Sequence, residues 1–225
     1  MMEKMLDENV RKQVVEFFGG LDQEVQVLFF GSSDTSVCQY CVDTQQLLEE
    51  VAETSEKINL VSYDLEDQAD LAKLYKVDAA PTLVILGKDG DQLTDFGVRF
   101  KGIPAGHEFT SLVNSILIVS KRDSGLSQDT RDYLKTLQQP VHLQVFVTPT
   151  CPYCPRAVVL ADQMAMESPL VEAEMVEAME FPELSSQFNV SGVPQTTINM
   201  GAANVVGAAP ESQLIAHIQK VLSNN

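Results

Sequence analysis

Four cysteines stand in two pairs of equal spacing, Cys38-Gln39-Tyr40-Cys41 and Cys151-Pro152-Tyr153-Cys154. Two intervening residues at a helix start let both sulfurs of a pair meet within one turn, so each pair can pass between dithiol and disulfide. With Cys151 as N-cap and Pro152 at the first helical position, the Cys151 sulfur would face unpaired backbone N–H groups at the positive end of the helix dipole. That environment favours the thiolate, which is the attacking species. The second cysteine, one turn inside, is shielded until a mixed disulfide forms, which it then resolves.

Elements that position such pairs occur twice in matching register. The first cysteines lie 113 residues apart (38 to 151), and so do two prolines, Pro81 in Ala79-Ala80-Pro81-Thr82 and Pro194 in Gly192-Val193-Pro194-Gln195. A shared offset for both markers indicates a duplicated unit. Each pair follows a β-prone run, Val25 to Phe30 or Val141 to Val147, and precedes a helical pattern. A second strand follows at Ile58 to Tyr63 or Val171 to Val176, then a short helix at Asp67 to Lys76 or Pro182 to Asn189. Two short strands and a closing helix end each unit, at about Gly106 to Ser120 and Pro210 to Leu222. Opening helices are expected over Asp7 to Phe18 and Ser127 to Leu137, with Ser127 as N-cap of an incomplete capping box. The fold class is therefore α/β, two tandem units each with a central mixed β-sheet flanked by helices. The units are expected at residues 1–120 and 121–225, joined at Lys121-Arg122-Asp123-Ser124-Gly125 and packed together. The stretch around Lys88-Asp89-Gly90-Asp91 reads as a longer hairpin in the first unit, and Glu172-Ala173-Glu174 as the wet side of an edge strand.

Thr150-Cys151-Pro152-Tyr153-Cys154 resembles a glutaredoxin active site, and Gly192-Val193-Pro194 resembles that family's cis-proline segment. Two such units in one chain resemble the protein disulfide oxidoreductases of archaea and bacteria, built from tandem thioredoxin-like units, over nearly the whole sequence. The resemblance implies thiol–disulfide exchange, with Cys38 and Cys151 as nucleophiles and Cys41 and Cys154 as resolving cysteines. It also implies cis bonds at Ala80-Pro81 and Val193-Pro194, whose exposed backbone edge would pair with an extended peptide. The implied partners are protein dithiols and disulfides, with a thioredoxin-reductase-like flavoprotein as electron donor. The chain departs from the family where thioredoxins bury an acid before the nucleophile. Only Gln26, His142 and Gln144 interrupt these apolar strands, so proton transfer is expected to use water or another group. Thr148-Pro149-Thr150 lacks the Lys with which many glutaredoxins hold glutathione, which argues against glutathione as obligatory reductant. A second implied reading is an electron-relay module docking on a flavoenzyme, since alkyl hydroperoxide reductase flavoproteins begin with a similar double unit. That module typically keeps a single Cys-x-x-Cys, and two intact pairs favour a free-standing oxidoreductase.

Composition narrows the alternatives. A net charge of −17 and a pI near 4.4 argue against nucleic acid or an anionic membrane as partner. A solvated acidic surface explains the charge, and a salt-rich cytoplasm would select the same balance. The start, Met1 to Glu8, has no apolar core of a signal peptide, and no run approaches the roughly 20 apolar residues of a membrane span. A cytoplasmic setting is expected, where four cysteines serve redox chemistry better than structural cross-linking. Zinc ribbons hold their knuckles about 15–20 residues apart, unlike the 109 residues between Cys41 and Cys151. A chain-bridging iron–sulfur cluster is the other metal alternative; neither metal nor any other cofactor is expected. His107, His142 and His217 neighbour no cysteine in sequence and read as structural or surface residues.

Overall fold

A computed structural model describes residues 4–223. Met1 to Glu3, part of the start on which the signal-peptide reading rests, lie outside the described residues, as do Asn224 and Asn225. Element order repeats itself: α1 (Glu8–Phe18), β1 (Glu24–Gly31), α2 (Cys41–Ala52), β2 (Ile58–Asp64), α3 (Ala69–Leu74), β3 (Thr82–Asp89), β4 (Gln92–Lys101) and α4 (Glu108–Lys121). The second half matches it with α5 (Gln128–Lys135), β5 (Val141–Val147), α6 (Cys154–Glu167), β6 (Val171–Glu177), α7 (Pro182–Gln187), β7 (Gln195–Ile198), β8 (Ala203–Val206) and α8 (Glu211–Ser223).

All eight strands form one sheet in the order β2-β1-β3-β4-β6-β5-β7-β8. Within each half the pattern is the same: β1 runs parallel to β2 and antiparallel to β3, as β5 does to β6 and β7. The halves join where β4 pairs in parallel with β6, with Phe100 opposite Met175. This joint is head-to-tail, because β4 meets the strand that corresponds to β2.

Alternation along the strands divides the core between the faces. Val25, Val27 and Phe29 point into a core that continues across both halves under α1, α2, α4, α5, α6 and α8. Leu28 and Phe30 point to the other face, into a smaller cluster with Ala72 of α3; Phe146 and Val176 do the same with Phe188 after α7. Helices thus cover both faces of each half, the fold class expected.

Helix ends follow their sequence signals. Asp7 caps α1, accepting from Asn9 and Val10 N–H. Ser127 caps α5, and the acid missing from its capping box comes from another helix: Glu211 of α8 accepts from the Ser127 N–H and hydroxyl.

Glu172-Ala173-Glu174 is not the wet side of an edge strand. β6 lies in the middle of the sheet, and Glu174 is buried. Glu174 pairs with Lys101 of β4 at 3.1 Å and accepts from Gln144 of β5 at 2.8 Å. Alternation marked a strand with one polar face, but that face meets the other half of the chain instead of water.

Candidate active site: two Cys-x-x-Cys disulfides

β1 and β5 run parallel to one another through β3, β4 and β6, so the loops that follow them emerge at the same edge of the sheet. Four strand spacings separate them, roughly 19 Å. Each loop carries a closed disulfide, Cys38–Cys41 and Cys151–Cys154, with Cα atoms 5.5 Å apart in both. In the first, Asp34 C=O accepts from the N–H groups of Val37 and Cys38, which turns the long loop back toward the helix. The Cys41 sulfur accepts from Ser32 N–H at 3.2 Å.

The helix that follows Cys151 starts two residues later than expected. Tyr40 and Tyr153 are the N-caps, and Cys41 and Cys154 are the first helical residues. Cys151 N–H bonds Thr148 C=O, and the Pro152-Tyr153 turn uses up the residues assigned to the first helical turn. Pro155, not Pro152, occupies the first turn, where a missing N–H costs no hydrogen bond. The sulfurs still sit at the positive helix end, since each disulfide ties its leading cysteine to the first helical residue. Cys154 is fully buried while Cys151 keeps 7% exposure, so the leading cysteine is the accessible member; Cys38 and Cys41, at 3% and 4%, are not separated in this way.

Ala80-Pro81 and Val193-Pro194 are both cis. Ala80 and Pro81 share with Cys38 the wall of a cleft of about 730 Å³. The opposite wall comes from the second half: Glu177 at the end of β6 and the turn Met179-Glu180-Phe181-Pro182. Gly102 after β4 connects the walls. Its N–H donates to Pro81 C=O at 2.9 Å, and at φ +101° it lies so close that an added Cβ would sit 2.5 Å from the Glu177 Cβ. Ile103 N–H donates to Glu180 Oε1 at 2.6 Å, and Glu180 N–H to Glu177 Oε2 at 2.6 Å. Five residues after Gly102, His107 N–H donates to Pro149 C=O, two residues before Cys151. The segment from Gly102 to His107 therefore touches both sites.

Sequence reading missed four carboxyl groups, buried or half-buried, around these loops. Burial lifts Glu180 to about 7, opposed by the Ile103 N–H and reinforced by Glu177; burial also raises Glu177, whose Oε1 has no hydrogen-bond partner. Glu108 and Asp162 face each other between α4 and α6, with Ser111 donating to Glu108 and Ser115 to Asp162. Burial lifts Glu108 to about 7 and pushes Asp162 well above the carboxylate range. The one available signal was polar residues at helical spacing, Glu108, Ser111 and Ser115, on an otherwise apolar α4 face. Of the histidines, His142 is half-buried beside Glu174, with burial holding it below its ordinary value. Among the described residues no cluster of three or more His, Cys, Asp or Glu is placed to hold a metal, and no helix is long and apolar enough to cross a membrane.

Two thioredoxin-like halves, each presenting a Cys-x-x-Cys disulfide at a helix start, define a two-site thiol–disulfide redox protein. A protein disulfide oxidoreductase from Aeropyrum pernix superposes with a TM-score of 0.85 at 31% identity, over 96% of this chain and 93% of that one. The chain belongs to this family of two-unit protein disulfide oxidoreductases. The thioredoxin domain family matches residues 141–220. The N-terminal domain of an alkyl hydroperoxide reductase from Enterococcus faecalis superposes equally well, with a TM-score of 0.85 and 28% identity over 94% of this chain and 99% of that one. An alkyl hydroperoxide reductase protein from Staphylococcus epidermidis is 30% identical over 84% of this chain and 33% of that protein. The chain thus spans about a third of the length of the curated relatives it matches.

Proposed function

We propose that this chain exchanges disulfides with protein substrates at two sites, with Cys38 and Cys151 as nucleophiles and Cys41 and Cys154 as resolving cysteines. Ala80, Pro81, Val193 and Pro194 are assigned to substrate docking, and residues 1–120 and 121–225 to the two units. The observation that supports the reading is the recurrence, 113 residues apart, of both a closed disulfide at a helix start and a cis X-Pro bond. The leading thiolate attacks a substrate disulfide, the resolving thiolate attacks the mixed disulfide, and two electrons leave with the substrate. Redox chemistry rests on the disulfides themselves, without a further cofactor, in a cytoplasmic setting. A flavoprotein of the thioredoxin-reductase kind is the proposed electron donor. The match to alkyl hydroperoxide reductase supports a second reading, a relay module that hands electrons from a flavoprotein to a peroxide-reducing partner.

The test is dithiol-driven reduction of insulin. Turnover is expected to survive Cys38→Ser or Cys151→Ser alone and to vanish in the double variant. Loss of all turnover in either single variant would place the two pairs in series, as a relay requires.

A further inference from the structure

We propose that the first site selects substrates by charge, favouring polypeptide disulfides flanked by Lys or Arg and disfavouring anionic ones. This rests on the reading of Cys38 and Cys41 as a redox site. The cleft in front of Cys38 is lined by three carboxyl side chains, Asp43, Glu177 and Glu180, and by no Lys, Arg or His among the described residues. A cation lies in the adjoining groove, but Lys101 is already held by Asp78 at 2.7 Å and Glu174 at 3.1 Å. The acidic wall is built into the fold. Glu177 is 2% exposed with an unpartnered Oε1, and the N–H groups of Glu180 and Ile103 fix the carboxyl groups of Glu177 and Glu180. Residues in the same register of the first half, Asp64 and Asp67, sit at the outer edge of the sheet beside β2. Only the head-to-tail joint brings their counterparts across a site. Val37, Tyr40 and Met179 expose apolar surface in the walls of the same cleft, so an apolar neighbour of the substrate cystine has a place beside the cation.

During reduction, the Cys38 thiolate attacks one substrate sulfur, the substrate S–S bond breaks, and the first substrate thiolate leaves and takes a proton from water. Cys41, having lost its proton to solvent, attacks the Cys38 sulfur, closes the Cys38–Cys41 disulfide and releases the second thiolate. Charge on the substrate acts on the encounter and on the mixed disulfide, both of which hold it against the carboxylates.

The full chain carrying Cys151→Ser and Cys154→Ser isolates this site. After reduction with dithiothreitol and removal of the excess, it is mixed at low salt with cystamine (cationic), bis(2-hydroxyethyl) disulfide (neutral) or dithiodipropionate (anionic). Rates are normalised to those of free dithiothreitol with the same disulfides. A pH of about 8 keeps Glu180 ionised, above its value of about 7. Cystamine is expected to exceed dithiodipropionate by about tenfold, with the ratio falling at high salt as screening grows. Asp43→Lys, a change at an exposed position, should lower the ratio, and Glu180→Gln should do so as well. Equal normalised rates alongside turnover of the neutral disulfide would overturn charge selection and leave the redox reading standing. A ratio unchanged in both variants would trace to the net charge of −17 and overturn it too. Failure to reduce any of the three would overturn both readings.

Discussion

Around Cys38 the cleft holds Asp43, Glu177 and Glu180, whereas the first charged residue after Cys154 is the exposed Arg156. Carboxylates disfavour a thiolate and a nearby cation favours one. Accessibility points the same way, at 7% for Cys151 and 3% for Cys38. In the reduced protein, one equivalent of iodoacetamide at about pH 8, above the value of about 7 to which burial lifts Glu180, is expected to label Cys151 well before Cys38, read by peptide mass. Equal labelling would show that the helix terminus common to both sites outweighs the surrounding charge.

At the scale of elements, α4 and α6 pack around two buried carboxyl groups, Glu108 and Asp162, with Ser115 of α4 donating to Asp162 of α6. Folded Glu108 keeps its proton to about pH 7, while in the unfolded chain it ionises near 4.5. Its stabilising contribution is complete below pH 4.5 and is lost as pH rises through 7; Asp162 acts in the same direction. Folding stability should therefore fall between pH 5 and pH 8. Glu108→Gln, which keeps an acceptor for Ser111 without a titrating proton, should shrink that fall by about 2–3 kcal/mol. Urea unfolding at the two pH values measures it; an unchanged difference would mean that α4 and α6 separate enough to hydrate the pair.

Across the whole molecule, the two halves share one sheet and one continuous core face. Lys101 is the polar link in their joint. Burial alone would push its ammonium down, but Glu174 and Asp78 outweigh that and hold it above its ordinary value. Lys101→Met removes one partner of a buried pair and leaves Glu174 buried against Gln144 without its cation. A loss of about 3–5 kcal/mol is expected, and calorimetry should show one transition in the parent chain and two in the variant. A single transition in both would mean that the shared apolar core alone holds the halves together.

The order of elements, the two cysteine pairs and their prolines were legible in the sequence because each is a local or repeated signal. Strand alternation, turn residues and caps act over a few residues, and the 113-residue offset repeats them in step. Ser127 was readable as a cap for that reason, yet its acid partner Glu211, 84 residues away, was not. What the sequence could not indicate is how the halves meet. Pairing of β4 with β6 depends on which edges find each other in space, and no spacing along the chain records it. That joint turns Glu174 from a surface residue into a buried one and swings Glu177 and Glu180 across the first disulfide. The same kind of long-range packing closes Glu108 and Asp162 off from water, so their protonation follows from desolvation by elements distant in sequence. The redox chemistry was thus set by residues close together in the chain, and the charge around it by the tertiary fold.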